Sequence, residues 1–290
     1  MAEYNQPVTG IIRRRFSCRS YIPKPIEPEL KERLSNFLAG SPTGPLGTGV
    51  RFELVSAGEN DSTVLKGLGT YGFIKGARGF IVGAVEKLEN HNMEDYGYLM
   101  ERAVLFATDI GLGTCWLGGT FNKSGFARKI SLKENEMLPA VVAVGYVADK
   151  RRWFDSFIRR RAGSDSRLPW TRLFFDRTFS TGLPVEVTDA FATPLEMVRL
   201  GPSASNRQPW RIVRDNKQWH FYLQRTSGYA DRNKTFFKLA DMQRIDMGIA
   251  MCHFDLTVRE MGMSGGWIFS EQHIDTPDTL TEYIVTWRQR

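Results

Sequence analysis

The sequence predicts an α+β protein built as two pseudo-symmetric halves, each a mainly antiparallel sheet flanked by helices. Three observations predict it. One pattern occurs twice: residues 95–116 read DYGYLMERAVLFATDIGLGTCW and residues 246–267 read DMGIAMCHFDLTVREMGMSGGW. At a constant offset of 151 residues the copies share Asp95/Asp246, Gly97/Gly248, Met100/Met251, Leu105/Leu256, Gly111/Gly262 and Trp116/Trp267, in the same order of helix pattern, glycine break and tryptophan. Upstream, FLAGSPTGPLGTGVRFELV at 37–55 matches in kind MVRLGPSASNRQPWRIVR at 197–214. Finally, helical and strand patterns mix in each copy without regular βαβ alternation.

The elements follow in order. Residues 8–16 and 27–39 read as helices; in the second, Leu30, Leu34, Phe37 and Leu38 recur at helical spacing behind Pro28 near the first turn. RFELVSA at 51–57 and GFIVGAV at 79–85 carry the β-branched and aromatic residues of strands. A long helix over 94–110 stops at the glycines of 111–113. PAVVAVGYV at 139–147 is the continuous apolar run of a buried central strand. The charged stretch 148–167 bridges the copies, which divide at 1–170 and 171–290. The second copy repeats the order: helix near 192–200, polar loop, strands at 211–214 and 220–223, long helix at 240–261, and a last strand at 281–287.

Composition narrows the function. A hydrophobic fraction of 42% and a charged fraction of 24% are those of an ordinary globular protein. No apolar run reaches bilayer length and the first residues lack the apolar core of a signal peptide, so a cytoplasmic protein off the membrane is expected. Cys18, Cys115 and Cys252 are odd in number and far apart, with no CxxC, and His91, His220, His253 and His273 have no ligand spacing. Neither a disulfide framework nor a metal site is expected. The formal charge is +7, but the basic residues concentrate at 13–19 and 150–167 rather than along one face. Such local clusters suit a small phosphorylated ligand at least as well as a nucleic acid, and no nucleic-acid partner is expected.

Two segments carry the chemistry. Arg15, Ser17 and Arg19 alternate at the end of the first helix, where two guanidinium groups and a hydroxyl can converge on a phosphate; basic residues there also stabilise a helix end. In GPSASNRQPW at 201–210, Pro202 and Pro209 stiffen a loop dense in Ser203, Ser205, Asn206 and Gln208. Side-chain amides that donate and accept together suit a heteroaromatic ring with nitrogens and carbonyls. The basic cluster has no counterpart before the second copy, where VEVTDAF stands at 185–191. The amide-rich loop has none in the first, where SPTGPLGTG stands at 41–49. Each copy thus keeps the half of a site that the other lacks.

Here the chain resembles the FMN-dependent nitroreductase family. R-x-S-x-R at Arg15, Ser17 and Arg19, followed by Tyr21, is similar to that family's N-terminal phosphate-binding signature, and PSASNRQPW to its PSxxNxQPW loop. SRLP at 166–169 resembles its C-terminal phosphate-contacting arginine motif, and CWLGG at 115–119 its loop beside the reactive flavin nitrogen. In ordinary members, two identical subunits interlock and each contributes one signature to each site. Carrying each signature once, this chain resembles the single-chain branch in which a duplication has absorbed the dimer.

The resemblance implies a nitroreductase-like fold and an FMN oxidoreductase fed by NAD(P)H, acting on a small electron-poor acceptor as a monomeric pseudo-dimer. It places Arg15, Ser17, Arg19 and Arg167 on the phosphate. Pro202, Ser203, Ser205, Asn206 and Gln208 frame the ring, and Leu117, Gly118 and Gly119 present backbone near N5. Asp165 stands where many relatives have a second basic residue, which puts that contact in doubt; Lys150, Arg151 and Arg152 could compensate, but a solvated face is the better reading of them. No dedicated catalytic acid, base or metal is required, because the flavin carries the hard chemistry. The alternative is a flavin-binding sensor or storage protein without turnover.

Overall fold

The computed structural model of the chain describes residues 3–40, 43–58, 63–148, 166–227, 240–270 and 274–290. The first half runs α1 (Val8–Arg14), α2 (Pro28–Ala39), β1 (Val50–Ser56), β2 (Gly79–Glu86), α3 (Asn92–Asp109), β3 (Gly113–Leu117), α4 (Lys123–Lys129), β4 (Glu136–Met137) and β5 (Val141–Gly145). The second runs β6 (Phe174–Asp176), α5 (Ala192–Arg199), β7 (Trp210–Asp215), β8 (Gln218–Gln224), α6 (Met242–Glu260), β9 (Gly265–Ile268) and β10 (Thr281–Gln289). The first sheet has the order β1-β2-β5-β3, with β4 also on β2; the second has β6-β7-β8-β10-β9. Set β4 and β6 aside and the two orders are one order, antiparallel at every step. The predicted class of two pseudo-symmetric halves is therefore the class observed. β6 pairs with β7 in parallel.

Two expectations need correcting. The first helix ends at Arg14 rather than 16, because Arg15 turns to extended geometry (φ −58°, ψ 133°) and the chain joins the first sheet. Ser17 pairs in parallel with Thr114, and the Cys18 amide donates to the Thr114 carbonyl at 2.8 Å. The segment CWLGG is only partly a loop. Cys115–Leu117 pair with Val141–Ala143 inside β3, a strand that Gly113 and its short length conceal from the alternating pattern. Most of the predicted basic bridge, with Lys150, Arg151, Arg152 and Asp165, lies outside the described residues, as do positions 41 and 42 of the first-copy loop and His273.

The halves meet where α3 crosses α6. Both helices are buried nearly all round, which is the pattern of a core helix rather than a surface one. They approach backbone to backbone at glycine. A Cβ on Gly97 would strike the Ile245 carbonyl, and one on Gly248 would strike the Glu94 carbonyl and come within 2.7 Å of the Tyr98 nitrogen. Ile245 is the offset partner of Glu94, so each glycine rests on its partner's counterpart, the reciprocity of a two-fold interface. Buried polar side chains also pair across the same crossing. Tyr98 donates to Asp255 at 2.5 Å, Arg244 to Glu94 at 2.7 Å, and His253 meets Glu101 at 3.0 Å. One hydrophobic cluster, from Val8 to Trp287, draws on both halves.

The close approach at the crossing predicts different outcomes at Gly248 and at Gly266, which lies in β9. Alanine is favoured over glycine in a helix interior by about 1 kcal/mol. Gly248→Ala is nevertheless expected to destabilise by about 1–3 kcal/mol or more, since the colliding atoms are backbone. Gly266→Ala, where an added Cβ meets nothing within 4 Å, is expected to change stability by less than about 0.5 kcal/mol. Denaturant unfolding of the two variants checks the contrast.

Candidate functional site

A cavity of about 370 Å³ opens between the halves. Ser17, Arg19, Trp116, Gly118, Gly119 and Thr120 line it from the first, and Pro202, Ser203, Ala204, Ser205, Met242, Ile245, Asp246 and Ile249 from the second. Its size is that of a small-ligand pocket.

The arm that follows α1 presents Ser17 and Arg19. In extended chain alternate residues share a side, so these two face the cavity while Cys18 between them is buried. The Arg19 carbonyl accepts from the Lys75 amide at 2.9 Å, which pins the arm between β3 and the 66–78 loop. Arg19 Nη1 is buried and has no hydrogen-bond partner. A buried cationic donor without a partner is costly, and an anion is the partner that relieves it.

The 202–208 loop is held in an uncommon backbone conformation. Ser205, Asn206 and Gln208 have φ of 52°, 52° and 49°, the left-handed region that few non-glycine residues adopt. Its bonds hold that shape. Ser203 Oγ accepts from the Gln208 amide at 2.8 Å, and Gln208 Oε1 from the Leu168 amide at 2.8 Å. Asn206 Nδ2 donates to the Ser166 carbonyl at 2.9 Å, and Arg167 donates to Asn206 Oδ1 at 3.3 Å and to the Leu200 carbonyl at 3.1 Å. Beneath the loop, Asp246 takes the Ala204 amide on both oxygens, at 2.9 and 3.1 Å. Asp95 does the same work in the first half, accepting from Leu46 at 2.9 Å and Thr48 at 2.7 Å. That shared task explains the matched aspartates.

The floor is apolar. Met242, Ile245 and Ile249 share the helical spacing of one face of α6, and the Met242 thioether packs on Gly118. At the pseudo-symmetric location the same positions carry His91, Glu94 and Tyr98, while Gly118 is replaced by Phe269. There the His91 and Phe269 rings lie 4.7 Å apart and Arg244 pairs with Glu94, so side chains stand where the first location has open space.

The description "Putative TM nitroreductase" belongs to the family model that matches residues 8–258. The chain belongs to this nitroreductase family. No curated protein matched the sequence. A structure described as a putative nitroreductase from Thermotoga maritima superposes with a TM-score of 0.58 at 18% identity, over 100% of this chain and 95% of that one. A nitroreductase with bound FMN from Bacteroides fragilis gives 0.39 at 18% identity, over 51% of this chain and 92% of that one. An FMN-dependent nitroreductase from Clostridium difficile gives 0.40 at 20%, over 49% and 89%.

In this member of the family, Ser17, Arg19, Gly118, Gly119, Pro202, Ser203 and Ser205 surround one cavity. Arg15, Leu117, Arg167, Asn206 and Gln208 do not line it. Leu117 is buried in β3, Arg15 lies 3.9 Å from buried Glu101, and the other three hold the loop from outside the cavity. The amides of Asn206 and Gln208 bond to backbone and to Arg167 here, the solution a strained loop needs for its own polar groups. Trp116, Thr120, Ala204, Met242, Ile245, Asp246 and Ile249 line the cavity without having been singled out as site residues from sequence. The stripe at 242, 245, 246 and 249 was the available signal.

Burial pushes the Asp246 carboxyl well above its ordinary 3.8, against the lowering effect of the Ala204 amide. An acid whose folded pKa exceeds its unfolded value holds its proton more tightly when folded. Stability is therefore lost as pH rises from about 3.8 through the folded value. Asp246→Asn, which keeps an acceptor for Ala204, is expected to lose less stability than the parent between pH 4 and pH 8. Parallel urea titrations across that range check it; equal losses would contradict it.

Proposed function

We propose that the chain is an FMN-dependent oxidoreductase of the nitroreductase type, passing hydride from NAD(P)H to an electron-poor acceptor such as a nitroaromatic, a quinone or a flavin-like compound. The observation that carries this reading is the composition of the cavity. A buried, partnerless arginine nitrogen and a serine come from one half, and a rigid polar loop over an apolar floor comes from the other. That combination fits a ligand with a phosphate at one end and a flat heteroaromatic ring at the other.

On this reading Arg19 and Ser17 take the phosphate. Arg15 adds positive charge from behind, and Arg167 acts by bracing the loop. Ser203 and Ser205 meet the polar edge of the ring, while Trp116, Ile245 and Ile249 exclude water from its faces. Gly118 and Gly119 leave backbone exposed at the cavity wall, where side chains would intrude. Bound FMN would supply the two-electron chemistry between nicotinamide and acceptor. The family membership supports an oxidoreductase, and the division into halves at 1–170 and 171–290 belongs to the same proposal. Among the described residues no helix is long and apolar enough to cross a membrane, and no cluster of metal ligands forms.

Protein purified with its cofactor is expected to be yellow, and heat-released flavin to run as FMN; recovered FAD, or no flavin after reconstitution, contradicts the proposal. Arg19→Ala is expected to weaken FMN binding at least about tenfold, as hydrogen bonds to charged groups contribute roughly 1.5–3 kcal/mol. Fluorescence titration checks that loss. Steady-state oxidation of NADH or NADPH with a quinone separates an enzyme from a flavin sensor or store.

A further inference from the structure

Glu101 is fully buried in α3, on the face toward α6. Its two oxygens do different work. Oε2 accepts from Trp116 Nε1 at 2.8 Å, and Oε1 faces His253 Nε2 at 3.0 Å and Arg15 Nε at 3.9 Å. The other nitrogen of His253 lies 2.8 Å from the Met197 carbonyl, which can only accept, so His253 is fixed at both ends. Through Trp116 this buried group reaches the cavity, because Trp116 lines it next to Gly118.

The second half supplies an internal comparison. Trp267 occupies the position of Trp116, but Cys252 stands where Glu101 does, and Trp267 Nε1 is buried without a hydrogen-bond partner. A tryptophan is thus retained at both positions, while the carboxylate that anchors its N–H is present only on the side with the cavity. Plain core packing does not require that difference, because the indole at 267 is accommodated without it.

We propose that Glu101 is a positioning residue for the cofactor cavity. Braced by His253, it fixes the Trp116 indole in the cavity wall and so shapes the seat for the ring. The proposal rests on the flavin reading for its ligand, but the orientation of Trp116 can be measured without one.

The test uses full-length protein with Glu101→Leu, Glu101→Gln, Trp116→Phe and the double variant Glu101→Leu/Trp116→Phe. Near-ultraviolet circular dichroism of the flavin-free protein reads the fixed indole: the band that Trp116→Phe removes is expected to vanish in Glu101→Leu and persist in Glu101→Gln, whose amide oxygen still accepts the N–H. Titration with riboflavin, which has no phosphate, is expected to show about tenfold weaker binding for Glu101→Leu and recovery to within about twofold for Glu101→Gln. In the Trp116→Phe background Glu101→Leu is expected to add little, because the two changes remove one interaction. A lowered melting temperature with an unchanged tryptophan band, or additive losses in the double variant, overturns the proposal. Failure of the parent protein to bind any flavin, with the tryptophan band still dependent on residue 101, overturns the flavin reading and the cavity role, while leaving Glu101 as the anchor of Trp116.

Discussion

The contact on which the rest depends is the crossing of α3 and α6 at Gly97 and Gly248. Two backbones can approach that closely only where neither carries a side chain, and the approach brings a set of buried polar pairs into register. It also fixes the distance between the Ser17–Arg19 arm, bonded to β3 beyond α3, and the 202–208 loop, bonded to Asp246 at the start of α6. The cavity is the space that this spacing leaves. Both helices belong to one chain, so the cavity is lined from both halves of that chain.

Pseudo-symmetry would provide two such spaces, and the side chains retain one. On one side α6 presents Met242, Ile245 and Ile249 beneath a loop that faces a basic arm. On the other, His91 and, in α3, Glu94 and Tyr98 take those positions, with the Phe269 ring tilted against His91 and Arg244 paired with Glu94. The Arg244–Glu94 pair there joins the two halves. The proposed function places one flavin in the open location and none in the filled one.

Much of this was legible in the sequence. The matched Asp95/Asp246 and Gly97/Gly248 pairs stand out in the sequence as a repeat, while their work as loop anchors and helix crossing is visible only in the structure; long buried helices and apolar strands betray themselves by pattern. The arm was legible as a cluster but not as a shape: three arginines before Phe16 read as a helix end, and only the pairing of Ser17 with Thr114 makes it a strand edge. The donor-rich loop was visible in composition. That Asn206 and Gln208 serve the loop itself follows from their bonds to Ser166, Arg167 and Leu168, which no spacing rule discloses. The link from Glu101 to His253 joins residues 152 positions apart, and single-sequence patterns do not reach that far.

The central claim is that one chain holds one complete site built from both halves. Its most direct test is the ratio of flavin absorbance to protein concentration, measured together with the light-scattering mass of the same sample on serial dilution. One FMN per chain, retained at the mass of a single 33.0 kDa chain, is the expected result. Two flavins per chain, or flavin lost as a dimer is diluted into monomers, would contradict it.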